Sequence, residues 1–261
     1  MQTVRMMNGA QQRQLISAAD ILLDARRTGN AIADLPKDVR PTTLEEAYFI
    51  QDRMALAYDD IGGWKVGAPS ADATPMFAPM PLNWMGPSGC ELRGITHRMR
   101  GLEAEIAFLI GEDLPPREEP YTREEVIAAI ESCHPAIEVI ESGLIDPLST
   151  DRFTWLADMQ IHGGFVFGDG VPNWQSIDFT QENVALAVDG SVRVERTGSN
   201  TSGDLLRLLP WLANEGAART GGLKKGDWIT TGSWTGLTQA SAGSSVDVTF
   251  STAGRVRLRF A

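Results

Sequence analysis

Glu103 and Glu105 stand two residues apart in Leu102-Glu103-Ala104-Glu105-Ile106-Ala107-Phe108-Leu109-Ile110, a run that turns wholly apolar and stops at Gly111-Glu112-Asp113. It reads as a largely buried strand. With side chains alternating, both carboxylates leave the same face, roughly 7 Å apart. Like charges that close repel, and burying either one unpaired is costly unless a cation lies between them. Carboxylate oxygens are the hard ligands that Mg²⁺ or Mn²⁺ prefers. A third acid sits in Pro135-Ala136-Ile137-Glu138-Val139-Ile140-Glu141, where Ile137 and Val139 flank Glu138. If that run pairs beside the first, Glu138 completes a three-carboxylate site with positions left open for water or substrate. The competing reading is an edge strand with a wet acidic face, and Glu-x-Glu alone does not separate the two.

Two further side chains belong to the same question. Lys65 lies in Gly62-Gly63-Trp64-Lys65-Val66-Gly67, between apolar neighbours and with no other charge in the stretch. Turned outward it is an ordinary strand lysine in water. Turned toward the acids it pairs with a substrate carboxylate or shuttles a proton. His162, before Gly163-Gly164, has a reference pKa suited to acid–base work. No other histidine lies within ligand spacing, and a hydrogen-bonded loop residue explains it equally well.

The elements that must position these groups follow from periodicity and punctuation. Leu15, Ala18, Ala19, Leu22 and Leu23 recur at helical spacing over about residues 11 to 27, with Gly29-Asn30 as the stop. A second helix begins after Pro41, where Thr43 and Glu46 fit a capping box. From Ala68 to Cys90, five prolines and many small residues predict a loop. Thr122 and Glu125 repeat the capping signature ahead of a helix of about three turns, and the Glu138 strand follows. Asp189-Gly190 between Val184–Val188 and Ser191–Val194 is a strong hairpin signal. A leucine-rich helix is expected near residues 205 to 213, then strands to the end. In the last of these, Arg255, Arg257 and Arg259 alternate toward solvent.

Composition narrows the classes. The 261 residues are 43% apolar with 26 glycines, enough for a large core in a turn-rich protein. A formal charge of −11 without a basic cluster excludes a nucleic-acid footprint. Cys90 and Cys133 form neither a disulfide framework nor a thiol metal site, and Cys133 reads as a core residue. No signal-peptide core and no 18-residue apolar run occurs, so no membrane association and a reducing cytoplasm are expected. Neither Gly221–Gly226 nor the glycines around Lys65 have nucleotide-binding spacing.

Several of these segments, taken in order, resemble a known family. They are Thr43–Tyr48 with Gln51, Gly63–Gly67, Glu103–Phe108, Pro135–Val139, Ala157-Asp158, Trp211–Asn214 and Gly226–Ser233. The chain is similar over nearly its whole length to the 2-keto-4-pentenoate hydratase branch of the fumarylacetoacetate hydrolase superfamily, which also contains 4-oxalocrotonate decarboxylases. The resemblance implies an α+β fold: a catalytic mixed β-roll over residues 61–261 behind a small N-terminal helical lobe over 1–60. It implies a divalent ion, Mg²⁺ or Mn²⁺, on Glu103, Glu105 and Glu138, with Lys65 close to substrate. Substrates of that family are 2-oxo acids or their enols, whose carboxylate and 2-oxo oxygens chelate the metal. The expected activity is hydration of an unsaturated 2-oxo acid of the 2-hydroxypenta-2,4-dienoate type, with Glu141 or His162 activating the water. Decarboxylation of a 2-oxo diacid of the 4-oxalocrotonate type, and C–C bond hydrolysis, are the alternatives. A non-catalytic subunit is the reading from another class, and the retained glutamates oppose it. The resemblance, with tryptophans such as Trp228 and Trp234 in exposed-looking strands, also predicts a cytoplasmic homo-oligomer, one that some pathways pair with another enzyme. Three places depart from the pattern, one of them the loop after Lys65-Val66-Gly67, with Pro69 and a proline-rich run. Where it has aspartate, serine and arginine after the third ligand, this chain has Glu141-Ser142-Gly143. Where it has asparagine and small hydroxyl residues after Ala157-Asp158, this chain has Met159-Gln160-Ile161-His162.

Overall fold

Helix α1 (Gly9–Thr28) starts where the Asn8 side chain accepts from the Ala10 and Gln11 N–H groups, and it ends at Gly29 in the left-handed conformation. The computed structural model containing it describes residues 7–58, 60–93, 97–216, 219 and 221–261. Of the expected α1 stripe, Leu15, Ala18, Ala19 and Leu22 are buried and Leu23 is half-buried, and the buried stripe continues through Ala25 to Arg26. Helix α2 (Leu44–Ala55) is capped by Thr43, whose hydroxyl accepts from Glu46 N. The capping box is only half formed, because the Glu46 carboxylate turns back to Thr42 N and Oγ1. Both helices drop their apolar faces into the same core as the sheets.

The strands begin with β1 (Ile61–Gly67), β2 (Met76–Pro81), β3 (Met85–Pro87) and β4 (Cys90–Leu92), of which β2 and β3 lie inside the expected loop and β4 starts at its last residue. Prolines hide such strands because they cannot donate to a ladder. Here β2 is at an edge, bonded only to β1. Strand β5 (Gly101–Ile110) carries Glu103 and Glu105. The capping box at Thr122 and Glu125 is complete, but α3 (Arg123–Ala128) is only six residues long. The chain is recruited at Ile130 into β6 (Ile130–Ile140), whose pairing with β5 outweighs the local helical pattern. Next come α4 (Arg152–Ala157), β7 (His162–Phe167), β8 (Asn183–Val188) and β9 (Ser191–Thr197). Asp189 and Gly190 take φ of 51° and 76°, the left-handed pair that a two-residue hairpin requires. The leucine-rich segment is broken into a 3₁₀ turn, the short α5 (Leu208–Trp211) and a π turn. Strands β10 (Trp228–Thr230), β11 (Thr238–Gln239), β12 (Ser245–Phe250) and β13 (Gly254–Phe260) finish the chain.

Two mixed sheets result. The larger runs β2-β1-β10-β5-β6-β7-β3, with β11 also on β5; the smaller runs β4-β13-β12-β8-β9. Strands β2 and β3 lie at opposite ends of the larger path, yet a single 3₁₀ turn, Leu82–Trp84, joins them. The sheet therefore curls into a roll. One face packs into the main core with the helices and the smaller sheet. The other holds a separate cluster of Met80, Ala107, Ala136 and Phe165, with Met85, Phe167 and Trp228 against it. Of the two tryptophans expected at the surface, Trp234 is fully buried and Trp228 half-buried, stacked 4.3 Å from Phe167. Trp234 fills the core instead of marking an interface.

Candidate metal and substrate site

Register brings the acids together. Strands β5 and β6 are antiparallel, with Glu103 directly opposite Glu138 and Glu105 opposite Ala136, whose small side chain leaves room beside the carboxylate. One oxygen from each of Glu103, Glu105 and Glu138 lies within 4.8 Å of the others. Strand β10 lies between β1 and β5, pairing Lys65 with Thr230 and Thr230 with Ala107, so Lys65 faces the same way as the acids. Its Nζ is 2.5 Å from Glu138 Oε1 and donates to the Gln160 carbonyl at 3.0 Å. Lys65 is buried, so the solvent-facing alternative does not hold.

Glu138 and its neighbours differ in how they are compensated. Burial alone would raise the Glu138 carboxyl. Lys65 and a hydrogen bond from His162 Nδ1, 2.9 Å away, outweigh it and hold the group below its usual range. Glu105 accepts from Thr230 Oγ1 and from Gly232 N at 2.9 Å. Gly232 has φ of 90°, which a side-chain-bearing residue rarely adopts. Even so, burial and the charges of Glu138 and Glu103 push the Glu105 carboxyl well up. Burial and Glu138 raise Glu103 to about 7. Three carboxylates thus converge on one lysine ammonium. Hard oxygen donors in excess of the local positive charge fit a divalent cation.

His162 is fully buried, which lowers its pKa and keeps the ring neutral. The tautomer that serves the Glu138 carboxylate carries its proton on Nδ1; Nε2 has no partner among the described residues. Regular alternation would put His162 on the face opposite Phe165, which pairs with Glu138. A register irregularity at Val139/Ile140, together with the backbone before the strand, re-aims the ring. That backbone is unusual: Met159, Gln160 and Ile161 have φ of 53°, 50° and 55°. Three successive left-handed residues, one of them β-branched and none glycine or asparagine, are strained.

Glu141 is not brought to the cluster. Its carboxylate accepts from Met99 N at 2.7 Å and Ser142 N at 3.1 Å, and lines a cavity of about 830 Å³ with Arg26, Tyr58, Trp84 and Arg98. Cys133 is buried in the core, and burial raises its thiol. Sequence reasoning missed Thr230 and Gly232 as partners of Glu105, and missed Arg26. Arg26 continues the α1 stripe one turn beyond Leu22, and a cation on a buried stripe is the signal that was available.

Comparison with known proteins bears on the whole arrangement. The model of the fumarylacetoacetate (FAA) hydrolase C-terminal family matches residues 80–261. The TodF product hydratase of Pseudomonas putida (strain F1) is 28% identical over 261 residues, covering 94% of each chain. The 2-hydroxyhexa-2,4-dienoate hydratase of Comamonas testosteroni is 27% identical, covering 92% of this chain and 94% of its own. Among solved structures, the 4-oxalocrotonate decarboxylase from Pseudomonas putida G7, complexed with magnesium and adipate, superposes with a TM-score of 0.83. It shares 23% identity, covering 98% of this chain and all of its own.

Proposed function

The chain belongs to the fumarylacetoacetate (FAA) hydrolase C-terminal family, and from that premise we propose that it is a divalent-metal-dependent hydratase adding water to an unsaturated 2-oxo acid of the 2-hydroxypenta-2,4-dienoate type. The observation that carries the reading is the buried convergence of Glu103, Glu105 and Glu138 beside Lys65. The hydratase relatives, matched over nearly their full length, support the reaction class.

Glu103, Glu105 and Glu138 would hold Mg²⁺ or Mn²⁺, which polarises a 2-oxo group when bound. The chain's own groups do the rest. An ammonium has three donors. The described residues occupy two of those of Lys65, leaving the third for the substrate carboxylate or 2-oxo oxygen. Lys65 Nζ is thereby placed to steady the charge that develops on the acid and to exchange a proton with it. His162 acts on Glu138, fixing its orientation, as partners of ligating carboxylates do. Glu141, held by the Met99 and Ser142 amides apart from the three clustered carboxylates, is given no step in this reading. The same reading has the protein acting on a small diffusible acid, in the cytoplasm, as a homo-oligomer. No described helix is long and apolar enough to cross a membrane.

A panel of 2-oxo acids supplied with Mg²⁺ tests the reading through product mass. Gain of water supports the hydratase. Release of CO₂ assigns the decarboxylase chemistry of the G7 enzyme's class instead, and cleavage into two acids assigns hydrolysis. No turnover across the panel removes the reading.

A further inference from the structure

Arg26 is buried at 8% exposure in the last turn of α1, and its guanidinium bonds the Asp158 carboxylate and the backbone carbonyls of Asp158, His162 and Glu141. Its Nε lies 2.5 Å from Asp158 Oδ1, and its Nη2 donates to the Asp158 carbonyl at 2.9 Å. Its Nη1 donates to the His162 carbonyl at 2.9 Å, and Nη2 also reaches the Glu141 carbonyl at 3.0 Å. The other Asp158 oxygen accepts from Ser142 Oγ at 2.5 Å and Gly143 N at 2.9 Å. Residues 158 and 162 are the two ends of the left-handed turn Met159–Ile161. One planar guanidinium therefore spans that turn and ties it to the end of β6.

We infer that Arg26 is a positioning residue of the site: by clamping both ends of the left-handed turn it fixes the Gln160 carbonyl on Lys65 and the His162 ring on Glu138. The inference rests on the reading of the three glutamates as metal ligands. Strain gives the clamp its task, since three left-handed residues relax toward the right-handed region when released. Such a relaxation turns the Gln160 carbonyl away from Lys65. Trp84 reinforces the arrangement, stacking on His162 at 5.9 Å while the Arg26 guanidinium lies 5.6 Å from its ring. Gly143 leaves the room that α1 needs to bring this cation in. Here a Cβ at 143 would meet Leu22 O at 3.1 Å and the Ala25 Cβ at 3.2 Å, because α1 lies across the position. A lysine at 26 would not replace the clamp, because a point charge lacks the planar fork that reaches several carbonyls at once.

The test uses R26A, R26K and the control L22A, which truncates a buried side chain on the same helix without touching the guanidinium. Mn²⁺ titration of metal-stripped protein should show affinity weakened about tenfold or more in R26A and R26K, with kcat falling at least as far as KM rises. L22A should keep wild-type Mn²⁺ affinity and kcat despite a lower Tm. Arg26 lines the cavity of about 830 Å³, so the R26A lesion opens onto it. Millimolar guanidinium should then restore R26A, and methylammonium should not. A metal-independent readout separates this inference from the reading beneath it. The Nδ1 proton of His162, one of three histidines, should give a slowly exchanging downfield NMR signal in the metal-free wild type and L22A and lose it in R26A. If wild type binds no Mn²⁺ the metal reading fails, and the NMR signal still decides the clamp. The inference is overturned if R26A keeps that signal, if L22A loses as much affinity as R26A, or if methylammonium rescues as well as guanidinium.

Discussion

Glu182 and Glu105 are both buried glutamates, and the structure treats them in opposite ways. Glu182, just before β8, accepts from Thr252 N at 2.7 Å, Ala253 N at 3.2 Å and the Thr252 hydroxyl. It ties down the turn between β12 and β13, and no other carboxylate bonds to it among the described residues. Glu105, inside the roll, has two donors but shares its space with Glu103 and Glu138. Around the smaller sheet residue type and geometry agree in an Asp-Gly hairpin, in alternating burial on β13 and in arginines facing water. The mouth of the roll breaks several local rules at once, with clustered like charges and a left-handed turn lacking glycine. A carboxylate satisfied by its own chain holds structure; one left in excess holds something else.

The largest effect expected from that contrast is loss of metal binding. Titrating metal-stripped E103A/E105A with Mg²⁺ or Mn²⁺ should show none, while its Tm in chelator stays at or above wild type because repulsion is relieved. Unchanged stoichiometry would remove the assignment of these carboxylates as metal ligands. Next, Lys65→Met should lower turnover by roughly 10² or more on the acid the panel identifies. It also strips Glu138 of a buried partner, so the metal-free variant should lose about 3 kcal/mol in denaturant melts. Saturating Mg²⁺ should recover most of that loss. Glu182→Ala should do the reverse, costing about 1–3 kcal/mol through orphaned donors and leaving kcat and metal affinity alone. A catalytic defect there would break the comparison. A smaller gain should come from Gln160→Gly, which relieves a left-handed residue and an unpaired amide oxygen and should stabilise by about 1 kcal/mol in calorimetry. The gentlest effect is on pH dependence, and its sign should differ between the regions. Glu103, raised from 4.5 to about 7, holds its proton more tightly when folded. Metal-free stability from this group therefore falls as pH rises from 4.5 through about 7, while Mg²⁺ affinity rises over the same window. Asp189 is lowered from 3.8 by hydrogen bonds from Ser245 N and Ser244. Its contribution is present above that value and is lost on acidification. Chelator melts of wild type, E103Q and D189N across pH 3 to 8 should resolve both slopes, a range set by about one unit beyond these values.

The obedient region was the more legible one. Asp189-Gly190 and the Arg255–Arg259 alternation carry their geometry in residue type, so the hairpin and the wet face of β13 follow directly. Period-2 placement likewise put Glu103 and Glu105 on one face. That Glu103 lies across from Glu138 is a matter of register between distant strands, which spacing along the chain does not encode. Strands β2 and β3 were hidden by prolines that an edge tolerates, and β4 by its three-residue length. The left-handed turn was invisible because Met159, Gln160 and Ile161 carry no preference for it; tertiary contacts from Arg26 and Asp158 impose it. Arg26 itself looked like one more charge near the basic end of a helix.

The threading of β10 between β1 and β5 governs when this protein becomes competent. The pair β1–β2, which carries Lys65, is joined to β5 through residues 228–230, more than 160 positions from Lys65, and the Gly232 amide that grips Glu105 lies just beyond them. Loop closure over such a distance comes late and makes folding slow. During synthesis the carboxylates of β5 and β6 pair early, with neither lysine nor glycine amide in place. On the proposed metal reading, a nascent chain therefore cannot hold an ion in finished form until most of its length has left the ribosome. Refolding should show the same order, with native-like helix signal returning before metal protection and the ion accelerating only the last phase.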